Sequence, residues 1–159
     1  MGEYLLAVLL LFLEARSATD EFQLSIRDNT QSSRIAIGCD ILAVTRIRAP
    51  VELNLSIWKK DMQQPVMWAR LKVESKYTFG KGDRCTSLNT TSNTDFSPNA
   101  VFWFCKLPFP PISFWLNNPP SSHCGDYHCL AGFSDGKQKD TAILQVGTEY
   151  GFCKCIPLS

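Results

Sequence analysis

Residues 121–132 read SSHCGDYHCLAG, and four of these twelve side chains, His123, Cys124, His128 and Cys129, are nitrogen or sulfur donors of the kind that bind zinc. A structural zinc site needs four such donors converging on a tetrahedron. On an extended strand, however, neighbouring side chains point to opposite faces, so His128 and Cys129 are poorly placed to share one ion. No metal site is therefore expected. His128 is read as a solvent-facing strand residue and His123 as a turn residue, which leaves the two cysteines to be explained by the rest of the chain.

The chain has 159 residues, with 16 Lys and Arg against 15 Asp and Glu. That near balance provides no basic face, so nucleic acid is not an expected partner. A hydrophobic content of 45% suits one globular domain. The run YLLAVLLLFL, residues 4–13, is too short to span a bilayer, which takes about 20 residues. It fits the apolar core of a secretory signal peptide, and EARSA after it supplies small residues for cleavage; residues 1–17 are assigned to that segment. Glu3, with no Lys or Arg before the apolar run, departs from the usual pattern. Later, the most apolar stretch, VFWFCKLPFPPISFWL, carries Lys106 and three prolines, which rule out a spanning helix. The mature chain is thus expected to be secreted, with no membrane span. The sequons at Asn54 (NLS) and Asn89 (NTT) are candidate glycosylation sites and agree with that.

All seven cysteines, 39, 85, 105, 124, 129, 153 and 155, lie beyond the signal segment, and an oxidising compartment makes disulfides their expected fate. Between them the chain alternates with period two. Phe22, Leu24 and Ile26 share a face; so do Ile35, Ile37, Cys39 and Ile41; so do Val51, Leu53, Leu55 and Ile57. Further strands are expected in PVMWARLKVE, AVFWFCKL and PISFWLNN. GDYHCLAGF and DTAILQVG are expected to form a hairpin around SDGK. Residues 78–99, rich in Gly, Ser, Thr, Asn and Asp, read as a long loop or insertion. Seven or eight short strands with alternating faces predict an all-β antiparallel sandwich.

At this point the chain resembles a known family. GDYHCLA followed by TAILQV is similar to the last two strands of an immunoglobulin-superfamily domain of variable-like type, in which a Tyr stands two residues before the second core Cys. IAIGCDI resembles the strand that carries the first core Cys. ISFWLNNPPSSHCGDYHCLA and VELNLSIWKKD also resemble the immunoglobulin domains of molluscan fibrinogen-related lectins, whose sugar-binding fibrinogen-like half has no counterpart here. The resemblance implies an immunoglobulin-like domain over residues 18–147, a Cys39–Cys129 bond between sheets and a tyrosine corner at Tyr127. It leaves a C-terminal tail at 148–159. Three departures stand out. Ile57, not Trp58, faces the core where the family has Trp. His123 stands where the corner usually opens with an acidic residue. The interval between the two core cysteines is long.

Of the remaining cysteines, Cys85 and Cys105 flank the 78–99 segment and are placed to staple it. Cys124 has Cys153 or Cys155 as a candidate partner. One of the odd number is then free or joins two chains, so a disulfide-linked dimer is a candidate state. Six aromatics crowd into residues 102–115, more than one strand face can hold; Trp103 and Trp115, with Trp58, are expected to look outward and are candidate binding residues. No nucleophile elbow, phosphate loop or paired-carboxylate motif is present, so neither catalysis nor a cofactor is expected. The expected function is recognition of a protein or cell-surface ligand, in immunity or at a cell surface, through loops and exposed aromatics. Two alternatives are a small disulfide-rich effector, such as a toxin-like protein or protease inhibitor, and a truncated receptor ectodomain.

Overall fold

The computed structural model describes residues 22–43, 49–74 and 84–153. Residues 1–17, Cys155 and the 78–83 part of the expected 78–99 loop lie outside them. Ten strands are found among the described residues: β1 (Phe22–Asp28), β2 (Arg34–Ala43), β3 (Val51–Lys59), β4 (Met67–Glu74), β5 (Arg84–Ser92), β6 (Val101–Phe104), β7 (Ile112–Asn117), β8 (Gly125–Phe133), β9 (Gln138–Asp140) and β10 (Leu144–Val146).

Period-two alternation drives their assembly. Alternate residues of β2, β3, β4, β7 and β8 supply the buried apolar core: Ile35, Ile37 and Ile41; Leu53, Leu55 and Ile57; Met67, Ala69, Leu71 and Val73; Ile112, Phe114 and Leu116; Tyr127, Ala131 and Phe133. A sheet with one apolar face must cover it, and two such sheets cover each other. Each buried aliphatic side chain contributes about 1.5–3 kcal/mol relative to exposure. The first sheet runs β1-β2-β7-β6 and the second β10-β8-β3-β4-β5, with β9 paired to β8. Every pairing between them is antiparallel. The fold is an all-β, immunoglobulin-like antiparallel sandwich, and its strand order coincides with the A-B-E-D and G-F-C-C′-C″ sheets of a variable-type domain.

Cys39 on β2 and Cys129 on β8 are bonded through the core with Cα atoms 5.9 Å apart, and both are fully buried. Ile57 is buried beside them, opposite Cys129 in the β3–β8 register, while Trp58 projects from the other face. Cys85 pairs with Cys105 and Cys124 with Cys153. The first ties the edge strand β5 to the end of β6, in the opposite sheet; the second holds the chain after β10 against the start of β8.

Two expectations need correction. Residues 84–92, within the expected 78–99 loop, form strand β5 on the outer edge of the second sheet. Residues 86–91 are exposed throughout, so no apolar alternation marks the strand. Its hydrogen bonds to β4 and its β-branched threonines hold it, with a register shift opposite Arg70 and Leu71. It ends at Asn93, whose Oδ1 accepts the N–H groups of Asp95 and Phe96 and turns the chain so that Phe96 is buried. The second correction concerns DTAILQVG, which is not one strand. The Thr141 hydroxyl accepts the Cys129 N–H (2.9 Å) and the Thr141 N–H donates to the Cys129 carbonyl (3.0 Å). Pairing to β8 stops at Asp140 and resumes at Leu144.

In the chain-entropy account, a bridge spanning 90 residues constrains the unfolded chain more than one spanning 20. Replacing Cys39 and Cys129 together with Ala should therefore lower the unfolding free energy by about 2–5 kcal/mol, and about 1 kcal/mol more than the Cys85, Cys105 pair of replacements. Guanidinium unfolding midpoints of the two double variants provide the check; equal losses would count against the entropic ranking.

Candidate functional site

Alternation that sends apolar residues inward sends another set outward. On the first sheet these are Arg34, Ala36 and Gly38 from β2, Ser113, Trp115 and Asn117 from β7, and Val101 and Trp103 from β6. The registers align them in rows: Gly38 beside Ser113 beside Trp103, and Ala36 beside Trp115 beside Val101. The loop after β6 then folds back over this face. Cys105 adopts φ +49°, its N–H donates to the Pro111 carbonyl (2.7 Å), and Leu107–Pro108 is cis. Phe109 of this loop is stacked on Trp103, with ring centres 4.5 Å apart and planes within 7°. Pro110 lies over Gly38 so closely that a Cβ there would meet its Cγ at 2.6 Å, so the approach requires glycine.

The result is a cleft of about 300 Å³ on the outer face of the first sheet, walled by Trp103, Phe109, Pro110 and Trp115 with Ser113 and Arg34 among its lining. Trp115 meets Trp103 edge-on at 5.7 Å, and its Nε1–H donates to Asn117 Oδ1 at 2.9 Å, which fixes the ring. The Arg34 guanidinium sits over the Trp115 ring, 4.1 Å from its centre, a cation–π contact. Among the described residues Arg34 is the only charged one in the lining. Aromatics and Arg presented together in a concave, half-buried setting are the side chains from which binding hot spots are built.

Of the three expected outward tryptophans, the structure brings Trp103 and Trp115 together and leaves Trp58 on the opposite side of the molecule. There it is half-buried, its Nε1–H bonded to Ser56 Oγ (2.8 Å). Arg34, Ser113, Phe109 and Pro110 were not among the expected site residues. Alternation in RIAIGCDIL and PISFWLNN places Arg34 and Ser113 outward, but only the folded-back loop brings Phe109 and Pro110 over them.

Both sequons lie on the other sheet. Asn54 of β3 and Asn89 of β5 are exposed and each is directly opposite Arg70 of β4, so the three form one row across the outer face. Two strand spacings separate the asparagines, about 10 Å.

The four donor residues in 121–132 are divided among separate roles. Cys124 and Cys129 are spent in disulfides with Cys153 and Cys39. His128 pairs through Nδ1 with Asp140 at 2.7 Å. His123 supports the tyrosine corner: the Tyr127 hydroxyl donates to the His123 carbonyl, four residues upstream. Burial pushes the Tyr127 hydroxyl pKa up, so it stays a donor. The His123 Nε2 faces the Phe96 carbonyl, which can only accept, so Nε2 carries the proton. The ring also packs on Phe96, centres 4.3 Å apart. Burial holds the His123 pKa below its ordinary value, opposed by the Phe96 carbonyl, with the Lys59 cation also lowering it and Asp61 raising it. Lys59 is itself buried and ion-paired to the exposed carboxylate of Asp61, whose pKa that hydrogen bond lowers.

A His whose folded pKa is depressed takes up protons more readily in the unfolded chain. Its contribution is complete above about pH 6.5 and is lost as pH falls through the folded value. Between pH 7 and 5, stability should drop more steeply in the parent than in His123→Gln; parallel curves would show that His123 is not the titrating group. No protein-family model and no curated protein matches the chain.

Proposed function

We propose that the chain is a secreted recognition module of the immunoglobulin superfamily that binds its ligand in the aromatic cleft on the outer face of the first sheet. The observation that carries this is the cleft itself: Trp103 braced by Phe109, Trp115 braced by Asn117, and Arg34 stacked across Trp115. Such rings bring large contact area with little side-chain entropy left to lose. Rigidity here comes from the sheet registers and the doubled-back loop, so little ordering is left for the ligand to impose.

Three disulfides within one chain of this size suit an oxidising, extracellular setting. Among the described residues no helix is long and apolar enough to cross a membrane. Glycans at Asn54 and Asn89 would crowd the second sheet and leave the cleft face open, which supports binding there and not at Trp58. The reading is recognition by surface complementarity, without chemistry on the ligand, of a protein or cell-surface partner in an immune or adhesive role. The Cys39–Cys129 bond across a two-sheet core favours it over a toxin-like or inhibitor scaffold, whose bridges would be nested among the later cysteines.

Binding to cell-surface and glycan arrays tests the site. Trp103→Ala and Trp115→Ala should each weaken binding by about 2 kcal/mol or more, roughly thirtyfold, while Trp58→Ala stays within about 0.5 kcal/mol of the parent. Retention of full binding by both cleft variants would place the ligand elsewhere. Six of the seven cysteines pair among themselves, which leaves Cys155 as the candidate for a bond between chains. Non-reducing electrophoresis should show a dimer band that Cys155→Ser abolishes; a monomer alone in the parent would remove the covalent dimer.

A further inference from the structure

Buried polar atoms in folded proteins almost always have a hydrogen-bond partner, and an exception calls for a reason. Among the described residues two buried side-chain atoms meet no such partner, Arg34 Nε and Ser113 Oγ. Both belong to residues that line the aromatic cleft. Ser113 is 5% exposed, so its hydroxyl has little access to bulk water. An unpaired buried hydroxyl is costly, and two orphans in one concavity point to a ligand that supplies the missing partners.

The chemistry of that ligand follows from the donors. Nε can only donate, so it needs an acceptor. The N–H groups of a guanidinium held over an indole point along its own plane, away from the ring face, where they can fork onto a planar acceptor. The acidic side chains of the neighbouring β1–β2 surface are engaged already: Asp40 by Arg27, and Asp28 by the Tyr150 hydroxyl (3.0 Å) and the Thr30 N–H (2.8 Å). Among the described residues Arg34 has no carboxylate within ion-pair distance. One cation in the lining matches one negative charge, whereas a phosphate dianion would be left half-compensated. The Trp103–Phe109 stack and Pro110 form a wall that a bare small anion would not cover. The Ala36–Trp115 row lies between Arg34 and Ser113, so the two orphans suit groups at separate positions on one ligand.

We propose that the cleft binds an organic carboxylate carried on a ring, the carboxylate taken by Arg34, the ring lying against Trp103 and Trp115, and a second polar group meeting Ser113 Oγ. This rests on the cleft being the binding site.

The four tryptophans provide the reporter, with Trp103 and Trp115 at the cleft and Trp58 and Trp68 on the other sheet. Indole N–H signals are followed by NMR while the full chain is titrated with benzoate against benzamide, and with glucuronate against glucose. At least one carboxylate should move the Trp103 and Trp115 signals and leave the other two in place. Its neutral counterpart should bind about ten- to hundredfold more weakly, the range of a charged hydrogen bond. Whichever pair discriminates tells whether the ring is aromatic or a sugar. Arg34→Met keeps the stem over Trp115 and should abolish the preference for charge. Ser113→Ala should weaken carboxylate binding while leaving the unliganded melting temperature unchanged or raised, because it removes an unsatisfied group. Equal binding of charged and neutral probes, a preference that survives Arg34→Met, no movement of Trp103 and Trp115 with either carboxylate, or a Ser113→Ala variant that melts lower would each overturn the assignment. If in addition Trp103→Ala and Trp115→Ala still weaken array binding, the recognition site stands and only its ligand chemistry falls. If they do not, both fall.

Discussion

The Cys39–Cys129 bridge lies where the two sheets are pressed together, and the rest of the molecule is arranged about it. Each sulfur sits at an inward position of a central strand, β2 in one sheet and β8 in the other. Because side chains alternate, fixing those two positions inward sets the direction of every neighbour on both strands. Ile35, Ile37 and Ile41 are drawn into the core with Cys39, and Arg34, Ala36 and Gly38 are turned out. Tyr127, Ala131 and Phe133 enter with Cys129, and His128 is turned out to meet Asp140. The same parity that builds the core therefore lays out the cleft on the first sheet.

The outer surfaces of the two sheets differ in a way that a sandwich permits, since neither is needed for the core. The first is covered in part by its own loop, which brings Phe109 and Pro110 down onto Trp103 and Gly38. The second bears the row Asn54, Arg70, Asn89, with Arg70 ion-paired to Glu52. The disulfides reinforce this division. Cys85–Cys105 anchors the residue from which the cleft loop departs, so the tether from β5 in the second sheet helps set the wall of a site on the first.

At one end of the sandwich a polar cluster does structural work with unusual residues. Tyr127 closes its corner on a backbone carbonyl, as the motif demands, and the carbonyl belongs to a histidine. Burial disfavours the charged form of that histidine, which is hydrogen-bonded to Phe96, the residue that follows the Asn93 turn. The acidic residue usual in such corners is thus replaced by a ring whose burial disfavours its charged form.

The fold was legible because burial imprints a period of two. Ile35 to Ile41, Leu53 to Ile57 and Ile112 to Leu116 announce strands with one apolar face, and Tyr127 with Cys129 announces the corner and the core bridge. β5 left no such mark, because an edge strand exposed along residues 86–91 needs neither alternation nor an apolar face there; its hydrogen bonds to β4 are a property of the assembled sheet. The break at Thr141 was hidden for a similar reason, since a side-chain hydroxyl competing for a backbone donor depends on where that donor lies in space. For the site, the outward direction of Trp103 and Trp115 follows from their places in the chain. Their meeting with Arg34, Phe109, Pro110 and Ser113 does not, because strands 34–43, 101–104 and 112–117 become neighbours only through the registers of the sheet and the fold of one loop. Local periodicity is encoded residue by residue, whereas a cleft is made of long-range contacts, and those exist only once the sheet has closed.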